Sequence, residues 1–347
     1  MHICLCGTEL CSVLDAAGGL EKCIRIWAEG LSRYCHVTLI DICNDSTSFQ
    51  EGVRKVTLDP KIAYLKCSET AELPLVLNSL RADVVQLNNR PLLQTGIATI
   101  VTFHNYPYAW SPGQIADPVR LKKAVSKRYL TAVSKALLSE VSNMTDTSCV
   151  GSSVLNPPIA TEFFSQRHLG GDGVLFASRL MAKKGVALAT EAILAAKAAE
   201  KAIFLDTTTP FLKDTQEYRD MKKLITSAGI TLKPAAEGVD EMAAYYAKAD
   251  VVLQISLTEE GLGLIPLEAQ AVGANVIAAG PGGLEETIFK PNLFFKKPSV
   301  DVIASSISHF LARPMPSKPQ ELDIYKPEKS TLELLKIAEY MSSLDRS

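Results

Sequence analysis

The 347-residue sequence is most informative at first for what it lacks. It contains no apolar run long enough to span a bilayer. Its opening, MHICLCGTEL, has neither the basic start nor the long apolar stretch of a signal peptide. Both features lead us to expect a soluble, cytoplasmic protein. Charge of one sign is missing too. With a formal net charge of −2 the chain has no general attraction for nucleic acid, and none is expected as a partner. None of the eight cysteines forms a C-x-x-C pair, so zinc-ribbon and thioredoxin chemistry are not indicated. Cys4, Cys6, Cys11, Cys23, Cys35 and Cys43 crowd the first strand, loop, helix and strand, with Cys67 and Cys149 apart. They read as buried thiols acting as small hydrophobes, with intracellular disulfides as the alternative. There is also no D-x-D pair, no low-complexity tract and no internal repeat. No metal site and no cofactor are expected.

Hydrophobic residues make up 47% of the chain, which at this length suits two cores better than one. The first half alternates short apolar runs (HICLC, VTLIDIC, DVVQLN, TIVTFHN, YLTAVS) with helical patterns, such as Leu20, Ile24, Trp27 and Leu31. No tight hairpin signal separates the runs, so they predict a parallel sheet covered on both faces. Residues 156–172 carry two prolines, a glycine pair and no periodicity, and form the candidate boundary. Beyond them the pattern restarts with GVLFAS, AIFLD, ITLKP, DVVLQIS and NVIAA as strands, and with LEETIF among the helices. The division is residues 1–157 and 158–328 as Rossmann-like domains, with a terminal helix in 329–347 that can pack back on the first. The fold class is α/β, two doubly wound units facing a central cleft.

Residues 258–288, TEEGLGLIPLEAQAVGANVIAAGPGGLEETI, carry the strongest chemical signal. A strand ends in a turn bearing Gly261 and Gly263, and a helix opens near Pro266, a residue suited to a first turn. Amides freed there, on Gly261, Leu262, Gly263 and Leu264, can bind a diphosphate. Glu260 and Glu268 flank the turn and can accept from sugar or ribose hydroxyls. The plain alternative for Glu268 is a solvated glutamate favoured by the helix dipole. SRLMAKKG, residues 178–185, places Arg179, Lys183 and Lys184 at the carboxyl end of a parallel strand, where such sheets bind ligands. Arg179 and Lys184 are the candidates to neutralise a leaving diphosphate, and Lys183 reads as solvated. Gly18 and Gly19 open a helix on the same kind of edge, although glycine often serves backbone geometry alone. His104 ends a buried strand and is either a site residue or a structural histidine.

These segments, with GGLEKCIRIWAEGL, LTAVSKAL, VLNPPIATEFF and YYAKADVVLQIS, resemble glycosyltransferase family 4, a large retaining family of GT-B fold. The resemblance runs along most of the chain. It implies that Glu268 binds the donor ribose, that Glu260 and the amides of Gly261 to Leu264 meet the transferred sugar and phosphate, and that Arg179 and Lys184 stabilise the departing diphosphate. Gly19 would approach that diphosphate and His104 the sugar. PPIA at 157–160, LDTTTP at 205–210 and QIS at 254–256 depart from the family pattern. The expected reaction is retaining transfer of a hexose from a nucleotide-sugar donor, UDP-sugar favoured over GDP-mannose, to an unidentified hydroxyl acceptor. A nucleotide-sugar epimerase or hydrolase of the same fold and a non-catalytic nucleotide-sugar-binding protein are the alternatives. Residues 117–135 add a basic amphipathic pattern. Arg120, Lys123, Lys127 and Arg128 share one face opposite Leu121, Val125 and Tyr129, which suggests weak peripheral membrane association at the inner face.

Overall fold

The computed structural model describes residues 1–7, 12, 14, 18–42, 57–67, 70–107, 118–145, 149–209 and 212–344. Residues 8–11, Cys43, Asp117 and Pro210, which figured in the sequence reading, lie outside the described residues. The chain divides into two compact units. Unit 1 is Met1–Pro158 with Ile324–Ser347, and unit 2 is Ile159–Asp323.

Unit 1 contains β1 (His2–Cys6), β2 (His36–Ile42), β3 (Ile62–Cys67), β4 (Val84–Asn88), β5 (Ala98–Phe103), β6 (Tyr129–Ala132) and β7 (Gly151–Val154). Its helices are α1 (Gly19–Leu31), α2 (Leu73–Ser79), α3 (Pro118–Val125) and α4 (Lys135–Thr145). The sheet order is β3-β2-β1-β4-β5-β6-β7 and every pairing is parallel. β1, β4 and β5 are central and buried on both faces, which is why they read as mainly apolar runs. β3 is the edge strand. Its Ala63, Leu65 and Lys66 are exposed, so its apolar pattern is broken, and the sequence reading did not find it. α1 forms because Cys23, Ile24, Trp27, Ala28 and Leu31 make one apolar stripe, and all five are buried where α1 packs on α11 and on the sheet.

Unit 2 repeats the plan. After the short α5 (Thr161–Ser165) come β8 (Val174–Ser178), α6 (Val186–Ala195), β9 (Ala202–Asp206), α7 (Gln216–Ser227) and β10 (Thr231–Pro234). They are followed by α8 (Val239–Lys248), β11 (Val251–Ile255), α9 (Leu264–Val272), β12 (Asn275–Ala279), β13 (Leu293–Phe295) and α10 (Val300–Ala312). The order is β10-β9-β8-β11-β12-β13, again all parallel. One face of this sheet packs on α6 and α10 through Phe176, Phe204, Val186, Ile193, Ile303 and Phe310, with the Phe176 and Phe204 rings stacked at 4.7 Å. Finally α11 (Pro327–Leu344) packs along α1 within unit 1.

Two expectations are corrected. LEETIF does not form an α-helix. Gly283–Thr287 is a 3-10 turn, because the buried amide of Gln270 takes the Thr287 carbonyl (2.6 Å) and the Phe289 N–H (3.0 Å) that a continuing helix would use. Arg128 does not share an exposed face with Arg120, Lys123 and Lys127. It is buried and donates to the carbonyls of Pro91 (2.7 Å) and Leu93 (2.6 Å). Lys127 has a positive φ of 62° and turns the chain out of α3, which carries Arg128 under the surface. Six cysteines, Cys4, Cys6, Cys23, Cys35, Cys67 and Cys149, are free thiols, and burial pushes that of Cys4 up to about 12.

Candidate functional site

In each unit the strand order reverses once, and the crevice at that point lies at the carboxyl ends of the two strands concerned. In unit 2 the reversal falls between β8 and β11, which pair in register through Val174–Val251 and Phe176–Leu253. The loop after β8 carries Arg179 to Lys184, and the loop after β11 carries Glu260 to Gly263. Topology therefore sets side by side two motifs about 80 residues apart in the chain.

Several contacts hold the two loops. The Leu257 N–H donates to the Lys183 carbonyl at 2.8 Å. Gly185, with φ at +68°, closes the first loop over β11. A Cβ there would fall 2.3 Å from Cγ2 of Ile255, so only glycine fits. Lys184 Nζ donates to Glu260 Oε1, and both side chains keep about 15% of their exposure. The backbone of Glu260 is stitched to the glycine loop after β12. Its N–H donates to the Pro281 carbonyl (3.2 Å), and its carbonyl accepts from the Gly283 N–H (2.8 Å). Arg179 is half-buried, and among the described residues no side chain forms an ion pair or hydrogen bond with its guanidinium. Lys183 points outward. Its ammonium is held below the ordinary lysine range by partial burial and then by the neighbouring charges of Arg179 and Lys184.

The helix after the second loop, α9, begins at Leu264 on the N-cap Gly263, and no side chain caps it. Pro266 sits third in the helix, where its missing N–H costs nothing. Glu268 is only 5% exposed, so it is not the solvated glutamate of the plain alternative. Tyr246 of α8 donates its hydroxyl to Glu268 Oε2 at 3.1 Å. Burial, then the Glu268 charge and this bond, push the Tyr246 hydroxyl well above its usual range, so it remains a donor. The sequence reading did not single out Tyr246. Its signal was an aromatic hydroxyl on the buried side of a helix, which requires a polar partner.

In unit 1 the reversal lies between β1 and β4. Gly18 is the N-cap of α1, which follows the loop after β1, and no side chain caps it either. His104 follows β5. Its Nε2 lies 2.9 Å from Asn88 Oδ1, and its backbone N–H donates to Asn89 Oδ1 at 2.7 Å. The tautomer follows from Asn88. The Nδ2 of Asn88 donates to the Cys6 carbonyl (2.9 Å), so Oδ1 must face the imidazole and His104 carries its proton on Nε2. Burial lowers the His104 pKa to about 3, so the ring is neutral near pH 7 and its Nδ1 can only accept. Asn88 and Asn89 were not among the residues expected at the site, although they stand at a strand tip as His104 does. Among the described residues, no three His, Cys, Asp or Glu side chains converge as a metal ion would require.

Two Rossmann-like parallel units are the architecture of the GT-B fold. Residues 160–329 match the family described as Glycosyl transferases group 1. It is 34% identical over 120 residues to the D-inositol 3-phosphate glycosyltransferase of Arthrobacter sp. (strain FB24), an alignment covering 33% of this chain and 28% of that relative. The chain thus matches less than a third of that curated relative's length. Among solved structures it resembles sucrose-phosphate synthase of Thermosynechococcus elongatus, with TM-score 0.72, 17% identity and coverage of 99% of this chain and 98% of the other. It also resembles Anabaena HepE in complex with UDP, with TM-score 0.65, 14% identity and coverage of 99% and 98%. At these identities the structural likeness concerns the fold. No helix among the described residues is long and apolar enough to cross a membrane.

Proposed function

We propose that the protein is a retaining glycosyltransferase that moves a hexose from a nucleoside diphosphate sugar, UDP-sugar before GDP-mannose, to a hydroxyl acceptor. The observation that carries this reading is the Lys184–Glu260 pair at the switch point of unit 2, inside the segment that matches a glycosyltransferase family. A cation for phosphate and a carboxylate for sugar hydroxyls stand together there, beside an uncapped helix N-terminus. UDP is favoured because the structurally similar HepE protein binds it.

In this reading Glu268, held by Tyr246, accepts from the ribose hydroxyls. Gly261, Leu262, Gly263 and Leu264 offer backbone amides to phosphate and sugar. The bond from C1 of the sugar to the diphosphate oxygen breaks through an oxocarbenium-like state. The acceptor hydroxyl attacks C1 on the face the diphosphate leaves, its proton passes to the departing phosphate oxygen, and the anomeric configuration is retained. Arg179, Lys184 and the α9 amides carry the charge that develops, so no metal is needed. By family likeness Gly18 and Gly19 on unit 1 contribute amides to the diphosphate. The neutral Nδ1 of His104 accepts from a sugar hydroxyl.

A screen of thermal stabilisation by UDP, GDP and ADP tests the donor reading, since a ligand of the native state raises the melting temperature by mass action. One nucleotide should stand out, and no shift with any of them would sink it. Nucleotide released from the matching sugar without any acceptor would favour the epimerase or hydrolase alternative.

Weak membrane association is proposed on a narrower basis than the sequence pattern. Leu121 and Val125 are buried in unit 1, which leaves Val119, Arg120, Lys122, Lys123 and Lys127 exposed. This small cationic face would bind anionic lipid electrostatically, presenting a lipid-linked acceptor at the inner membrane face of the cytoplasm. Co-sedimentation with anionic vesicles at low salt should detect it, and its absence there would favour a soluble acceptor.

A further inference from the structure

The imidazole of His104 has a third neighbour besides Asn88 and Asn89. The indole of Trp27, fully buried on α1, lies 6.0 Å from it between ring centroids, tilted by 56°. The indole is itself tethered. Its Nε1–H donates to Ser330 Oγ at 2.7 Å, and that hydroxyl donates onward to the Asn156 carbonyl at 2.5 Å. Ser330 belongs to α11, some 300 residues further along the chain. One hydroxyl thus accepts from the indole and donates to the backbone, which fixes its rotor from both sides.

The seat of α11 on α1 leaves little freedom. A Cβ added at Gly30 would fall 2.2 Å from Thr331 Oγ1, so the α1 backbone at Gly30 lies directly against the Thr331 side chain. The Glu333 carboxylate, one turn further along α11, accepts from both the backbone N–H and the side-chain amide of Asn156. Ser330 and Glu333 therefore grip the same residue from two positions on one face of the helix. α11 cannot slide or rotate without breaking these contacts together, and Trp27 is indexed to it.

We propose that Trp27 is a positioning residue for His104 and that α11 sets it through Ser330. The terminal helix, remote in sequence from every motif at the strand ends, governs how the His104 ring is presented. The catalytic consequence rests on the reading of His104 as a ligand of a sugar hydroxyl. The coupling itself does not.

The experiment uses the full chain with three variants of the tether and a fourth, His104→Gln, as the reference. Trp27→Phe keeps an aromatic ring and removes the N–H, Ser330→Ala removes its acceptor, and Ser330→Thr restores a hydroxyl. Imidazole resonances recorded by NMR at neutral pH, with His104 assigned through His104→Gln, report the ring directly. The ring currents of Trp27 act on His104, so its resonances should move in Trp27→Phe and in Ser330→Ala and return toward wild type in Ser330→Thr. With a nucleotide-sugar donor, turnover should fall roughly tenfold in the first two variants with KM for the donor unchanged, as expected for a misplaced group rather than a lost binding contact. Shifted resonances beside full turnover in His104→Gln would uphold the coupling and remove His104 from the proposed reaction. His104 resonances that stay in place in Ser330→Ala would overturn the inference, since Trp27→Phe changes the ring current by itself.

Discussion

The two units share a topology and differ in what they place at the strand ends. Unit 2 gathers charge there: Arg179 and Lys184 on one loop, Glu260 on the next and Glu268 in the helix that follows. Unit 1 places a neutral imidazole, two asparagines and an indole near the corresponding edge, and among the described residues no charged side chain is hydrogen-bonded to His104. A shared strand order therefore fixes where a ligand can be met, and the loop residues decide its electrical character. In the proposed reading the charged groups of unit 2 meet the diphosphate and the sugar hydroxyls, while unit 1 adds backbone amides and a neutral imidazole.

The largest expected effect tests the charged edge. Arg179→Ala and Lys184→Ala should each lower turnover of the donor by about 10²-fold or more, in line with the loss of an oxyanion donor. Steady-state kinetics decides this, and full rates in both variants would mean that the diphosphate binds elsewhere. Next is the buried carboxylate. Glu268→Gln should weaken nucleotide binding roughly tenfold or more, since a hydrogen bond to a charged acceptor is worth about 1.5–3 kcal/mol. Tyr246→Phe, which only loosens that carboxylate, should cost less. Titration calorimetry on both variants would order them, and the reverse order would refute the role given to Tyr246.

The neutral edge is sharpened by pH. The folded pKa of His104, about 3, lies below its ordinary value of 6.5, so the unfolded chain binds the proton first. The stability contributed by neutral His104 is complete above about pH 6.5 and is lost as the pH falls toward 3. Urea unfolding at pH 7.5 and pH 5 should therefore lose less stability on acidification in His104→Gln than in wild type. Equal losses would contradict the buried neutral ring. The smallest effect is a null one. Excess EDTA should leave turnover intact if protein groups alone carry the leaving charge, and a loss restored by magnesium or manganese would assign part of that work to a metal.

Much of this comparison was legible in the sequence. The central strands of both sheets are mainly apolar runs because both their faces are buried, and glycine-bearing turns mark loops that pass close to backbone. Arg179, Lys184, Glu260 and Glu268 stand out because a parallel strand followed at once by charge and glycine has few other uses. Less legible was whatever depends on an edge or on a distant partner. β3 is half exposed and lacks a clean pattern. Gly283–Thr287 looked helical until Gln270, far along the same unit, took its backbone groups. Arg128 looked like one more surface cation, and the turn at Lys127 drove it inward onto two carbonyls.

What the sequence determined by itself is the repeated strand-and-helix alternation and the glycine-bearing, charged loops at the strand ends, since periodicity and local backbone preference act over a few residues. Only the tertiary structure decided which of those residues meet. Strand order brings Lys184 to Glu260, helix packing brings Tyr246 to Glu268, and the return of α11 brings Ser330 to Trp27 beside His104. Such meetings depend on which surfaces bury each other across tens or hundreds of residues, and no local pattern encodes that.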